Sequence, residues 1–256
     1  MDLDASIGKE RKLARIKLSD QVAEDIRRRI AREGLTPGDR LPNERALMEH
    51  YGCSKGTIRE ALKALEVEGM VRMLSGPNGG PEIQDASIDI ATQHLRQYLH
   101  FQKLDFAHVY ELRQSLEVSL ARNVIGKLTE DHFRRLEENI RLCEEANAIQ
   151  DRAVVRRVET EFHDILCDAS DNVILVFFCR FLNSMLRDLV SYRSESMQEH
   201  EVFGEENIAS HKQLLVALRA EDSDAVAEIM REHMCCAESY MRRLDASFRS
   251  DLLSRS

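Results

Sequence analysis

Apolar side chains fall at Val22, Ile26 and Ile30 and stop at Gly34, the spacing of one helix face, with Ser19 placed to cap its start. Thr36-Pro37-Gly38-Asp39 interrupts the period as a turn. Asn43 then stands as an N-cap ahead of a short helix from Glu44 to Tyr51, which Gly52 closes. Ser54 caps a third helix that gathers Ile58, Ala61, Leu62 and Leu65 on one face and leaves Lys55, Thr57 and Arg59 free to point elsewhere. Beyond it the helical period ends. Met70 to Leu74 reads as a strand, Ser75 to Pro81 holds too much Gly and Pro for a helix, and Glu82-Ile83 reads as a return strand. Two short helices joined by a tight turn and followed by a β-hairpin make a winged helix-turn-helix.

From Ser87 onward Gly and Pro almost vanish and the three- and four-residue apolar spacing runs nearly to the end. Helices are predicted near 87–103, 105–126, 129–148, 151–169, 172–195, 205–220 and 223–248, with Thr129 and Ser223 as N-caps. The charged, Ser/Glu-rich break from Ser191 to Gly204 is a loop or a frayed helix end. The chain is therefore mainly α: an N-terminal winged helix-turn-helix plus a C-terminal all-α helical bundle. Its expected divisions are a flexible tail over 1–12, the winged domain over 13–84, a linker helix over 85–104 and the helical domain over 105–250.

The composition of the 256 residues, 43% hydrophobic and 32% charged with 4 Pro and 11 Gly, excludes a disordered or collagen-like chain and suits two domains with cores of their own. No apolar run approaches the roughly 18 residues of a membrane span. The start, Met1 to Ser6, lacks the regions of a signal peptide, so a cytoplasmic protein is expected. The six cysteines form no C-x-x-C pair and read as thiols acting as small core hydrophobes.

A net charge of -9 argues against a nucleic-acid binder until its distribution is considered. Residues 1–84 hold 15 Lys and Arg against 14 Asp and Glu, while the rest hold 21 against 31. A neutral first region with clustered Arg can meet a phosphate backbone, and the acidic second region would be repelled by one. The Arg27-Arg28-Arg29 run reads as a solvated helix face.

Three strings in the first region are specific: Pro37-Gly38-x-x-Leu41-Pro42-Asn43-Glu44-Arg45-x-Leu47, Tyr51 through Leu62, and Leu65-Glu66-x-Glu68-Gly69-Met70-Val71. They resemble the winged-helix domain of the GntR family of bacterial transcription regulators. The position of Asn43 is more often Ser in that family and that of Lys55 often Arg, replacements that keep the capping and charge roles. The resemblance implies a homodimer on a palindromic double-stranded DNA operator, with Arg45 beside the backbone. The residue chemistry agrees. Ser54, Lys55 and Thr57 at the third helix's start offer hydroxyls, backbone N–H groups and a cation to phosphates, and Arg59 can fork onto guanine O6 and N7. Ser75-Gly76 on the wing can approach the minor groove because Gly lacks Cβ. Composition alone would make Arg45, Lys55 and Arg59 ordinary solvated charges; the intact motif reverses that reading.

In the second region Tyr110-Glu111-Leu112-Arg113-x-x-Leu116-Glu117, Glu159-x-x-Phe162-His163 with Asp171-Asn172, and the late pair His211 and His233 resemble the FCD effector domain of the FadR subgroup over roughly 105–245. Metal-binding members carry Asp-x-x-x-His and two later His, which implies a site of Glu159, His163, His211 and His233. Glu159 stands where Asp is usual, and its extra methylene makes it either a direct ligand or an outer partner. Glu159 and His163 share a helical face, with about 5–6 Å between Cβ atoms. Three imidazoles and a carboxylate suit Zn²⁺, Ni²⁺ or a similar divalent ion.

His50, His94, His100, His108, His132 and His200 match no ligand position, and Glu161 and Glu232 face away. Arg113 lies on a helix whose apolar face would be Val109, Leu112, Leu116 and Leu120; it is either an ion pair to Glu117 or a fork for an effector carboxylate. The leading function is a ligand-responsive regulator, a repressor by resemblance, sensing a small organic or sugar acid through a metal, with the helix near 87–103 transmitting the signal. A metal-dependent hydrolase or lyase on a DNA-binding head, and a DNA binder with a purely structural metal, are the alternatives. No H-E-x-x-H, G-x-S-x-G or Gly-rich phosphate loop supports catalysis, so the chain is not expected to be an enzyme.

Overall fold

A computed structural model describes residues 16–76, 79–85, 88–102, 104–192, 197–244 and 246–248. The expected tail over 1–12, the wing-tip residues Pro77 and Asn78, and part of the predicted break after Ser191 lie outside them. The chain divides into two compact units, 1–91 and 92–256.

The first unit holds α1 (Leu18–Glu33), α2 (Glu44–Tyr51), α3 (Lys55–Val67) and the strands β1 (Val71–Leu74) and β2 (Gly80–Ile83). The strands pair antiparallel with Val71 opposite Ile83 and Leu74 opposite Gly80. Ile26 of α1, Leu47 of α2, Ile58, Leu62 and Leu65 of α3 and Val71 of β1 close one core. The cap expected of Ser19 is a correction: α1 starts at Leu18, so Ser19 lies buried in its first turn and Lys17 holds the cap position without a side-chain bond. Asn43 and Ser54 do cap α2 and α3, accepting from the amides of Ala46 and Thr57. Arg27, Arg28 and Arg29 pair on the surface with Glu24, Glu68 and Glu33.

The boundary between the units falls inside α4 (Ile88–His100). Beyond it come α5 (Phe106–Asn123), α6 (Glu130–Ala148), α7 (Arg152–Asp168), α8 (Val173–Leu189), β3 (Val190–Tyr192), α9 (Met197–Arg219), α10 (Ser223–Arg243) and β4 (Ala246–Phe248). Helix α10 packs on α5 and α9, α6 on α7 and α9, and α8 on α5 and α7. Leu120, Leu136, Phe162, Leu166, Leu214 and Met230 sit in the main core between them.

Several expectations change, among them the break expected from Ser191 to Gly204, whose residues from Met197 onward open α9. The helix predicted over 172–195 ends at Leu189 and the one over 223–248 at Arg243, because their tails pair as β3 and β4, with Val190 opposite Phe248. Asp222, not Ser223, caps α10 through the amide of Ala225. The inward face of α5 carries Val109, Tyr110, Arg113, Glu117 and Leu120, while Leu112 is 47% exposed. Of the cysteines only Cys143, Cys167 and Cys179 are buried; Cys235, beside the buried Met234, turns outward because successive helical positions face different directions.

Candidate functional site

The first candidate surface is where α2, α3 and the hairpin meet. A hollow of about 350 Å³ is lined by Asn43, Glu44, Arg45, Lys55, Gly76 and Gly79 among others, so the two helix starts and the wing gather Arg45, Lys55 and Gly76 around one space. Arg45 projects outward, with 89% of its side chain exposed and paired to Glu49 one turn on. Ser54 Oγ accepts from the Thr57 amide at 3.2 Å and lies 3.0 Å from Thr57 Oγ1, which ties both hydroxyls to the opening turn of α3. Ser75 is exposed beside Gly76. The backbone at Gly76 has φ +103°, a conformation that explains glycine there, since a Cβ would meet nothing within 4 Å.

Sequence reasoning assigned no part to Glu44. Its carboxylate accepts from Arg59 Nε at 3.0 and 3.2 Å and lies 3.8 Å from Lys55 Nζ. The signal was available only as a Glu inside the matched string.

The second candidate is buried in the helical unit. His163 of α7, His211 of α9 and His233 of α10 are all buried, and one ring nitrogen from each lies within 4.8 Å of the others. His233 Nε2 is 3.3 Å from His163 Nε2, and the two rings stack with centroids 5.4 Å apart. Phe162 stacks on His211 at 3.8 Å between centroids and holds that ring flat. Neither His211 nitrogen has a hydrogen-bond partner although both are buried. Burial first, and neighbouring cationic groups second, hold His211 and His233 well below the usual imidazole range, so both are neutral and offer lone pairs. Unpaired polar nitrogens in a closed core carry a desolvation cost that nothing in the fold offsets. A divalent cation of borderline softness fits that donor set.

Glu159, expected as either a direct ligand or an outer partner, stands apart from the three imidazoles. It lies one turn before His163 on α7, yet its carboxylate does not join the three imidazoles. Instead it meets the amide of Asn207, near Arg113 and Arg156, with Oε1 buried and unpartnered. Burial pushes this carboxyl up to about 8 against the pull of those groups. Glu161 and Glu232 are exposed, and the other six histidines do not join the cluster.

Glu117 takes a place sequence reasoning did not give it. Its Oε2 lies 2.9 Å from His163 Nδ1 with both groups buried. Its Oε1 lies 3.7 Å from Arg113 Nε, an ion pair too long for a hydrogen bond, so both atoms remain unpartnered. Burial raises the Glu117 carboxyl, but His163 and Arg113 outweigh it and hold it below the usual range. Arg113 is 5% exposed and lies beside the Tyr110 ring, 5.7 Å from its centroid. The arrangement is thus three converging imidazoles, one oriented by a carboxylate, with a buried guanidinium behind that carboxylate.

The FCD domain family matches residues 108–235, and the family described as bacterial regulatory proteins, gntR family, matches residues 18–77. The chain is 28% identical over 233 residues to the putative L-lactate dehydrogenase operon regulatory protein of Escherichia coli (strain K12), covering 90% of this chain and 88% of that one. It is 27% identical over 229 residues to the HTH-type transcriptional repressor NanR of Enterobacter sp. (strain 638), covering 88% and 86%. Among solved structures, Streptococcus agalactiae GntR overlays with a TM-score of 0.61 at 22% identity, covering 86% of this chain and 99% of that one, a likeness of fold. Among the described residues no helix is long and apolar enough to cross a membrane.

Proposed function

The chain belongs to the GntR family of bacterial regulatory proteins and carries an FCD domain, and on that premise we propose that this DNA-binding transcriptional regulator is a repressor whose helical domain senses a small carboxylate at a divalent metal. The observation that carries the reading is the buried trio His163, His211 and His233, with both His211 nitrogens unpartnered, near a buried Arg113 whose Nε has no hydrogen-bond partner. His163, His211 and His233 would hold the ion, Zn²⁺ or Ni²⁺ by donor chemistry, with Glu159 close by but outside the set. When bound, the ion would supply a Lewis-acid position for a carboxylate oxygen. Arg113 would give the acid its second fixed point, because a guanidinium binds a carboxylate in a planar fork and the Nε of this one has no hydrogen-bond partner. Glu117 would orient the His163 ring through Nδ1, leaving Nε2 to face the other imidazoles.

On the DNA side, a homodimer would set one α3 per half-site of a palindromic operator, since a single small winged domain makes too few base contacts for specificity. Arg59 would read bases, with Ser54, Lys55, Thr57 and Arg45 on phosphates and Ser75-Gly76 at the minor groove. One relative is named for an L-lactate dehydrogenase operon, which puts hydroxy acids first among candidate effectors.

The test is elemental analysis of purified protein together with melting in the presence of hydroxy acids, sugar acids and dicarboxylates. One equivalent of metal per wild-type chain, its loss in His211→Ala, and a melting temperature that falls on chelation and rises with one acid class are expected. A full equivalent of metal in a triple His163, His211 and His233 alanine variant would refute the site.

A further inference from the structure

The DNA-facing surface of the head contains an anion in a place where phosphates are expected. Glu44, the first residue of α2, reaches across to α3, where Arg59 Nε donates to its Oε1 at 3.0 Å and its Oε2 at 3.2 Å, and Lys55 Nζ lies 3.8 Å from Oε2. The carboxylate is recessed and the cations project: the Glu44 side chain is 24% exposed, those of Arg59 and Lys55 63% and 59%. Exposed ion pairs contribute little to folding stability, so this geometry needs another account.

We propose that Glu44 is a specificity-determining residue: it grips Arg59 by the Nε edge, presents the two terminal Nη groups end-on to the major groove, and keeps a negative charge inside the cationic face. The inference rests on the reading of Arg59 as the base-contacting residue. A guanidinium has five N–H donors, and occupying Nε leaves the terminal pair, the edge that forks onto guanine O6 and N7. An arginine already held in one orientation loses less side-chain freedom when it meets a base than one that sweeps through solvent. The retained charge acts in the opposite direction on DNA that offers no matching base, because it partly cancels Lys55 and Arg59 as phosphate ligands. Both effects widen the gap between matched and unmatched DNA. Lys55, farther from the carboxylate, stays free to turn to the backbone.

Glu44 also sits in the first turn of α2, where any acid favours the helix dipole. A residue serving only the helix would, when removed, lower the melting temperature and weaken all DNA binding in proportion. The experiment therefore uses the full chain with two probes: duplexes selected by the wild-type protein from a randomised library, and calf-thymus DNA. Glu44→Ala should lower the affinity ratio for selected over calf-thymus DNA by about tenfold, the scale of one bidentate base contact. It should also raise affinity for calf-thymus DNA and steepen the salt slope by about one unit. Glu44→Gln, which keeps the shape and a neutral acceptor for Nε, should move both quantities the same way by less, and it carries the comparison if the alanine variant fails to fold.

Arg59→Ala should lower the ratio by itself, and adding Glu44→Ala should lower it no further. If Arg59→Ala lowers the ratio while the Glu44 variants leave it unchanged or weaken both DNAs equally, Glu44 does not set specificity and the inference is overturned. If Arg59→Ala leaves the ratio unchanged, the base-reading assignment fails and takes this inference with it.

Discussion

At the scale of single residues, Glu117 matters more than its place in the sequence suggests. Spaced four positions from Arg113, it reads as half of a surface-type helical pair, but both residues are buried and the carboxylate is shared between a guanidinium and an imidazole. An imidazole whose Nδ1 is fixed by a carboxylate presents Nε2 in one orientation, and such outer partners commonly govern metal affinity. Glu117→Gln should keep the side-chain volume while weakening metal binding by about tenfold, measured by competition against a chelating dye. Unchanged affinity would mean that the 2.9 Å contact serves packing alone. The histidines themselves were legible only as a set: His163, His211 and His233 look like any other helical His one at a time, and the matched spacing singles them out. Glu159 was legible as a neighbour of His163 with two roles open to it, and which of the two it takes depends on where Asn207 and Arg113 lie, which spacing does not carry.

At the scale of elements, the helices were legible because apolar period and caps agree. Asn43, Ser54 and Thr129 each accept from an amide three residues on, as their positions before an apolar run imply. The β3–β4 pair was not, since it joins Val190–Tyr192 to Ala246–Phe248 and local periodicity carries no information about a partner that distant in sequence. The face of α5 was misread for a related reason: apolarity points Leu112 inward, whereas Arg113 and Glu117 turn inward to meet each other and His163, a partner distant in sequence.

In the head, α1 and α2 are tied by Tyr51, whose hydroxyl donates to Asp25 at 2.8 Å. Burial first, and Asp25 second, push this phenol up to about 12 from an ordinary value of 10. The folded state therefore holds the proton more tightly than the unfolded one. The stability from this bond is fully present below about pH 10 and is lost as pH rises toward 12. Tyr51→Phe should remove that part of the alkaline sensitivity. Melting curves of wild type and variant should converge between pH 10 and 12, and a constant difference across that window would show that the bond does not govern it.

At the scale of the whole molecule, the uneven charge separates two tasks. The head is nearly neutral overall and sets Arg45 and Lys55 around one hollow with Arg59 beside Glu44, while the helical unit carries the excess acid and encloses Arg113 and three imidazoles in its interior. Arg113 Nε meets the Glu117 carboxylate only at 3.7 Å, without a hydrogen bond, so a donor inside the core is left for an incoming anion. A small acid bound there is expected to shift operator affinity by about 1–3 kcal/mol, weakening it if the protein is a repressor released by its effector. Thermodynamic linkage makes the expectation testable from both ends. If the acid changes the affinity for a selected duplex by some factor, the duplex must change the affinity for the acid by the same factor. Titrating the acid into metal-loaded protein with and without saturating duplex, and the duplex with and without saturating acid, should give equal factors. Arg113→Ala should reduce both together, because the proposed contact of Arg113 is with the acid. A response to the acid that persists undiminished in Arg113→Ala and in metal-free protein would locate the effector elsewhere, whereas equal factors that both collapse to one would leave the acid bound at this cluster and mute the head.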